Sequence, residues 1–101
     1  YWGASIKELI NKIDFNKNEK IKISTCGVSA NVPKYYLNKN GFNNFEISRF
    51  ENSDYIIITN RATINEKNNK LLNCFDKHNG QEIFYVSRNG VTLSSFRKSN
   101  K

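Results

Sequence analysis

One stretch of the chain, residues 55–58, restricts the possible folds more than any other. It consists of Tyr55 followed by three isoleucines, with no polar residue between them. Asp54 precedes the run, and Thr59 and Asn60 follow it. β-Branched residues favour strands, and an uninterrupted apolar run of this length is typical of a strand that is buried on both faces. The sequence therefore predicts that this strand lies at the centre of a sheet.

Four other stretches have the pattern of strands: 21–26, 45–50, 83–86 and 91–96. Apolar and polar residues alternate in the first two, as expected for strands with one exposed face. The last two are joined across Asn89 and Gly90, a dipeptide that suits a tight hairpin turn with positive φ at both positions. We expect these two strands to form an antiparallel hairpin.

Two helices are indicated in the first half of the chain. Ser5 and Glu8 have the spacing of a capping box, and the apolar residues after Ser5 recur at helical spacing, so a first helix should run to about Asp14. A second helix should be capped by Ser29 or Asn31, because Pro33 then lies in its first turn. Its C-terminal end should be at Gly41, a residue type that is common just after a helix.

The region after the central strand is more polar. Residues 61–69 are predicted to be a loop and residues 70–75 a short third helix. Its apolar side chains should face the sheet: Leu71, Leu72, Cys74 and Phe75. The predicted order is α-β-α-β-β-α-β-β. This order favours a small layered α/β fold with a partly parallel, Rossmann-like sheet and a C-terminal antiparallel hairpin.

The charge of the chain permits several classes of partner. Its 101 residues are enough for one domain, and their formal net charge is +7. A positive excess can favour nucleic acid or an anionic membrane surface. The lysines are scattered and arginine is scarce, whereas nucleic-acid binders more often cluster both with aromatic residues. We therefore interpret the lysines as mainly solvating, with a small nucleic-acid-binding module as the alternative.

Cys26 and Cys74 are the only cysteines, and His78 is the only histidine. With no CxxC pair, zinc and thioredoxin-like chemistry lack ligands. Two buried free thiols are the favoured prediction, since free cysteine behaves as a small hydrophobic residue. A single disulfide is the alternative if the chain lies in an oxidising compartment. No metal and no cofactor are expected.

Two loops have the position of a ligand site in an α/β fold. Residues 26–30 follow the first strand, as a phosphate-binding loop would, but they contain one glycine where a dinucleotide fingerprint has three. We favour a ligand-free turn there, with a nucleotide- or phosphate-binding domain as a less favoured alternative. Thr59, Asn60 and Arg61 follow the central strand and are weak candidates for a ligand site. His78 lacks the nucleophile and carboxylate that catalysis would need, so no catalytic residue is predicted.

Three segments carry a resemblance to a known family. Residues 1–5 (YWGAS) and 7–9 (KEL) resemble the DYWG-x-S…KE signature that closes many bacterial polytopic glycosyltransferases. These enzymes are related to dolichyl-phosphate-mannose–protein mannosyltransferases. Residues 53–61 (SDYIIITNR) are similar to the ADY-ϕ-ϕ-TN-x-R stretch of such proteins, and residues 90–98 (GVTLSSFRK) to their closing strand.

The resemblance implies that the chain is the C-terminal part of a membrane enzyme that transfers a sugar from a polyprenyl-phosphate donor. The catalytic carboxylate of that family lies in an early loop with no counterpart in this sequence, so the chain would be a non-catalytic accessory domain. It would lie on the extracytoplasmic (periplasmic) side of the inner membrane, with Tyr1, Trp2 and Gly3 at its junction with the membrane portion. Its main partner would be the transmembrane part of its own parent chain. Anionic lipid headgroups or the glycosylation acceptor would be further candidates.

Overall fold

The computed structural model describes residues 2–14, 19–64, 68 and 70–100. The elements follow in this order: α1 (Trp2–Asn11), β1 (Ile21–Cys26), α2 (Asn31–Lys39), β2 (Phe45–Ile47), a 3₁₀ turn (Phe50–Asn52), β3 (Tyr55–Thr59), β4 (Ala62–Ile64), β5 (Leu71–Asn73), α3 (Cys74–Lys77), β6 (Glu82–Arg88) and β7 (Val91–Lys98). The predicted α/β fold with a partly parallel sheet is confirmed.

The main sheet has the strand order β2-β1-β3-β7-β6. Strand β1 pairs in parallel with β2 and β3, whereas β7 pairs antiparallel with β3 and β6. The predicted central strand is confirmed. Two strands of the sheet lie on each side of β3, and Ile56, Ile57 and Ile58 are 0% exposed. These three side chains alternate between the two faces of the sheet, so each face must have its own cover.

Helices α1 and α2 cover one face of the sheet. Their buried residues pack with those of the strands in a single core: Ile6, Leu9, Ile10, Ile13, Ile21, Ile23, Leu37, Phe42, Ile57, Val86 and Phe96. The second face has a smaller cluster of Cys26, Ile56, Ile58 and Cys74, against which Phe50 and Phe75 pack. The cover of this second face therefore consists of the 3₁₀ turn and α3.

Helix α1 begins earlier than predicted, and the capping-box prediction is wrong. The helix starts at Trp2, so Ser5 lies inside it, buried, and its carbonyl accepts a hydrogen bond of 3.3 Å from Ser94 Oγ of β7. Glu8 does not reach back to a cap, because its carboxylate bonds Arg88 on β6 at 2.7 Å. The helix ends at Asn11 rather than near Asp14. Packing against the hairpin thus decides the position of the helix, whatever the local capping preference.

Helix α2 ends as the sequence predicts. Gly41 has a φ of +87°, and the two amides that follow the helix bond back to its last turn, Gly41 to the Asn38 carbonyl and Phe42 to the Leu37 carbonyl. These two bonds define a Schellman motif. At the N-terminal end the cap position is Ala30 rather than Ser29 or Asn31, and Ala30 has no side-chain cap bond. The Ser29 hydroxyl nevertheless accepts a 3.4 Å bond from the amide of Asn31, the first residue of the helix.

Strand β2 is shorter than the predicted strand over 45–50. It ends at Ile47, and residues 50–52 form the 3₁₀ turn. The reason is topological: the chain must cross from β2 over β1 to reach β3, which pairs with the other side of β1. Phe50 leaves the strand direction to pack on the second face of the sheet.

The region between β3 and β6 differs most from the prediction. Part of the predicted loop forms β4, which pairs antiparallel with β5. Residues 71–73 are strand rather than helix, and Leu71 is 73% exposed instead of facing the sheet. Helix α3 begins only at Cys74, because the Asn73 side chain accepts a 2.9 Å bond from the Phe75 amide and caps the helix there.

The C-terminal hairpin is confirmed. Strands β6 and β7 pair from Arg88 and Val91 onward, on either side of Asn89 and Gly90. Both turn residues have positive φ, 54° for Asn89 and 79° for Gly90, as a type I′ turn requires. The hairpin places β6 at an edge of the main sheet.

Candidate functional site at the carboxyl ends of β1 and β3

The two loops that the sequence marks as candidate ligand sites meet in the structure. Strands β1 and β3 are parallel neighbours, so their carboxyl ends lie at the same edge of the sheet. From this edge the chain leaves β1 toward α2 on the first face and leaves β3 toward α3 on the second. This divergence is the switch point where open α/β sheets bind ligands.

Gly27 lies directly against Thr59 at this edge. Its φ is +84°, a conformation that side chains other than glycine rarely adopt. A Cβ atom at this position would collide with Thr59 Oγ1 and lie 3.2 Å from both Arg61 Cβ and Cys74 Sγ. Gly27 therefore packs directly on Thr59, and because this contact joins the two loops we call this part of the sheet the closed edge.

A disulfide joins Cys26, the last residue of β1, to Cys74, the first residue of α3. Their Cα atoms are 5.9 Å apart, and 48 residues separate them in sequence. The prediction of two free thiols is therefore wrong. The Cys74 amide also donates a 2.9 Å bond to the Arg61 carbonyl, which holds the start of α3 next to the end of β3. Closing a loop of this length removes conformational entropy from the unfolded chain, worth about 4 kcal/mol.

Of the three candidate residues, Thr59 is the last residue of β3 and Asn60 and Arg61 follow it. Thr59 is 0% exposed, and its Oγ1 has no hydrogen-bond partner among the described residues. Arg61 is exposed, and its carbonyl holds Cys74.

Asn60 connects three segments through its side chain and backbone. Its Nδ2 donates to the Thr92 carbonyl at 3.1 Å, and its Oδ1 accepts from Asn73 Nδ2 at 2.8 Å. Its amide donates to the Leu93 carbonyl at 2.9 Å. Both polar atoms of the side chain are therefore used to hold the β6–β7 hairpin next to β5, which is a structural task.

His78 lies under the second face and is 7% exposed. Its ring centroid is 4.5 Å from that of Phe50, and its Nδ1 has no hydrogen-bond partner among the described residues. Burial lowers the pKa of His78 below its usual 6.5, and the nearby charges of Lys77 and Arg97 lower it further. The lowered pKa favours the neutral imidazole, which packs against Phe50 in the interior.

Arg97 is the polar centre of the second face, a role that the sequence analysis missed. Its guanidinium donates to the carbonyls of Phe75 and His78 at 3.0 and 3.1 Å and lies 5.0 Å from the Phe75 ring. It also bonds the Glu82 carboxylate at 3.3 Å. The alternation in β7, with Phe96 in the first core, is the signal that places Arg97 on the second face.

A groove of about 350 Å³ lies on the other side of the molecule, between α1 and the edge strand β6. Glu8 and Lys12 line it on the helix side. Lys12 Nζ donates to the Tyr85 carbonyl at 2.8 Å, and Glu8 bonds Arg88. The polar groups of the groove thus bond one another. Among the described residues, no cluster of three or more His, Cys, Asp or Glu side chains could hold a metal ion.

The predicted junction residues lie at the start of α1. Tyr1 is outside the described residues, whereas Trp2 and Gly3 form the first turn of the helix. Within the described part of the chain, no helix has the length and apolar character needed to cross a membrane. A scan against protein-family models, a search of curated proteins and a search of solved structures each find no match.

Replacing Gly27 tests whether the edge between β1 and β3 is closed. Gly27→Ala should lower the free energy of unfolding by about 3 kcal/mol, because it adds a clash with Thr59 to the cost of a positive φ. Gly90→Ala is the matched control, since Gly90 also has a positive φ but no atom within 4 Å of its added Cβ. It should cost about 1–2 kcal/mol. Equal losses in urea denaturation of the two variants would contradict the closed edge.

The pH dependence of stability tests the environment of His78. Because the pKa of His78 is lower in the folded state than its usual 6.5, the folded chain binds fewer protons at this site than the unfolded chain. Stability should be at its full value above pH 6.5 and should fall as the pH drops toward the folded-state pKa. Urea midpoints measured across this window should show the loss for the native chain and a smaller one for His78→Phe, which cannot titrate. An identical pH dependence in both proteins would contradict the assignment.

Proposed function

We propose that the chain is a non-catalytic accessory domain of a polytopic membrane glycosyltransferase that uses a polyprenyl-phosphate sugar donor. The proposal that the domain is non-catalytic rests on the closed edge at the carboxyl ends of β1 and β3. There, Gly27 packs against Thr59, and the side chain of Asn60 bonds two other segments. The place where this kind of fold most often binds a substrate is occupied by internal contacts.

The disulfide supports an extracytoplasmic location. Disulfides persist in oxidising compartments such as the periplasm and are rare in the cytosol. Cys26 and Cys74 are both buried in the second core cluster, where the bond holds the short helix α3 against the sheet. A domain built in this way suits the outer side of a bacterial membrane.

The junction motif supports an attached, not a free, domain. Trp2 and Gly3 are helical, and Ile6, Leu9 and Ile10 of the same helix are 0% exposed in the main core. Residues that resemble the family's junction signature are thus continuous with a helix that packs on the sheet. A membrane segment in front of them would be joined to a fixed element of the domain.

The complete reading frame and its deletion variant test the proposal together. We expect several hydrophobic spans before Tyr1 and an acidic residue in the first loop between them. The full-length protein should transfer sugar from a polyprenyl-phosphate donor, a variant lacking residues 1–101 should keep part of that activity, and a variant of the early carboxylate should lose it.

Two outcomes would contradict the proposal. One is a reading frame without multiple hydrophobic spans. The other is sugar transfer by the 101-residue chain alone, which would make the domain catalytic. Alkylation of the full-length protein, taken from the membrane fraction and denatured without reductant, checks the location independently. The proposed location requires that Cys26 and Cys74 are paired and therefore resist modification.

A further inference from the structure

The exposed side of the helix layer carries one sign of charge. The exposed residues of α1 and α2, which we call the helix face, are Ala4, Lys7, Asn11, Asn31, Lys34, Tyr35, Asn38 and Lys39. They include three lysines and no carboxylate. Glu8, the acidic residue of α1, bonds Arg88 at 2.7 Å and is thereby neutralised. The helix face therefore has a local positive charge that no neighbouring acid of the two helices balances.

Carboxylates are instead found on the other elements. Five described acidic residues lie in the strands, the 3₁₀ turn, α3 or directly before β3: Glu46, Glu51, Asp54, Asp76 and Glu82. Several of them are paired: Glu46 lies 3.8 Å from Lys20, and Glu82 lies 3.3 Å from Arg97. Two further described acids, Asp14 and Glu19, lie in the connection between α1 and β1. The exposed residues of α1 and α2 themselves thus carry lysines and no carboxylate.

An exposed tyrosine lies among these lysines. Tyr35 is 60% exposed, its ring meets Tyr36 edge-on at 5.1 Å, and Lys39 Nζ lies 5.9 Å from its centroid. A tyrosine with an apolar body and a polar tip is the residue type that membrane–water interfaces favour. Lysines around it suit phosphate-rich headgroups, where each ammonium acts as a point charge.

We propose that the helix face binds the surface of an anionic phospholipid bilayer. The inference rests on the proposed function, which puts a membrane segment in front of Tyr1. Lys7 is five residues after Trp2 on α1, so at a rise of about 1.5 Å per residue it lies within about 8 Å of that attachment point along the helix. The face has no arginine, the residue that most often makes the two-pronged contacts of nucleic-acid readout, and this favours a lipid surface over a nucleic acid.

Vesicle co-sedimentation of the 101-residue chain tests the proposal. Vesicles of phosphatidylcholine are compared with vesicles that contain about 30 mol% phosphatidylglycerol, at low and at physiological salt. We expect binding to the anionic vesicles that weakens as salt rises, and no binding to the neutral ones. The variant Tyr35→Ser should bind the anionic vesicles more weakly than the native chain, because it lacks the ring that enters the membrane interface.

Two triple variants with the same change in net charge give the decisive comparison. Lys7→Gln, Lys34→Gln and Lys39→Gln together remove the charges of the helix face, and Lys70→Gln, Lys77→Gln and Lys98→Gln remove three exposed charges elsewhere. At about fivefold in affinity for each lysine near the surface, the first variant should lose about a hundredfold. The second should lose less than tenfold, since its lysines lie off the helix face.

Four results would overturn the proposal. Equal losses in the two variants would show that net charge, not the helix face, decides binding. Absence of binding at low salt, or equal binding to neutral vesicles, would remove the anionic bilayer as partner. Salt-dependent binding to a single-stranded oligonucleotide that the helix-face variant abolishes, with no vesicle binding, would assign the surface to nucleic acid. The reading frame is determined separately, so failure here is distinguishable from failure of the proposed function.

Discussion

The burial of β3 on both faces is the constraint from which the rest of the structure follows. Three isoleucines in succession cannot be sheltered by one layer, because alternate side chains of a strand point to opposite sides. Two helices of nine or ten residues supply the first layer. Among the described residues, the second layer is formed by a 3₁₀ turn and a four-residue helix. Elements so short have little stability of their own, so other bonds must hold them against Ile56 and Ile58.

Those bonds determine what the edge of the sheet can do. The Cys26–Cys74 disulfide anchors α3 at the carboxyl end of β1, and the side chain of Asn60 ties the hairpin to β5. The disulfide and the Asn60 bonds both lie at the edge where open α/β sheets commonly have a ligand-binding crevice. A fold of this class therefore need not bind what its outline suggests, and function has to be argued from the particular residues at the site. Here those residues favour an outer surface over an internal site.

The sequence predicts well the features that depend on local chemistry. The isoleucine run, the Schellman end at Gly41 and the Asn89-Gly90 turn are each specified by a few adjacent residues, and each is confirmed. The errors arise where distant contacts decide. Ser5 has the local pattern of a cap, yet it lies inside α1 because that helix packs along β7. The β4–β5 pair likewise depends on partners that spacing along the chain cannot identify, whereas the alternation in β7 was sufficient to place Arg97 on the second face.

The sequence predicts where the candidate site lies, but it does not predict whether the site is open to a ligand. Thr59, Asn60 and the loop after β1 were placed at the edge from the order of strands, and they do meet there. Whether that edge is open depends on Gly27 fitting under Thr59 and on Cys74 reaching β1, two contacts that join residues over 30 positions apart. The charge of the helix face has the same origin, since Lys7, Lys34 and Lys39 share one layer only after α1 and α2 pack side by side.

Native-state hydrogen exchange of the oxidised chain measures the closure of this edge directly. The amides of Asn60 and Cys74 donate to the Leu93 and Arg61 carbonyls at the edge. With the disulfide intact, they should exchange as slowly as the amide of Ile57 in the core, through global unfolding alone. After reduction, Cys74 should exchange faster while Ile57 stays protected. Rapid exchange at Asn60 and Cys74 in the oxidised chain would show an open edge and contradict the account.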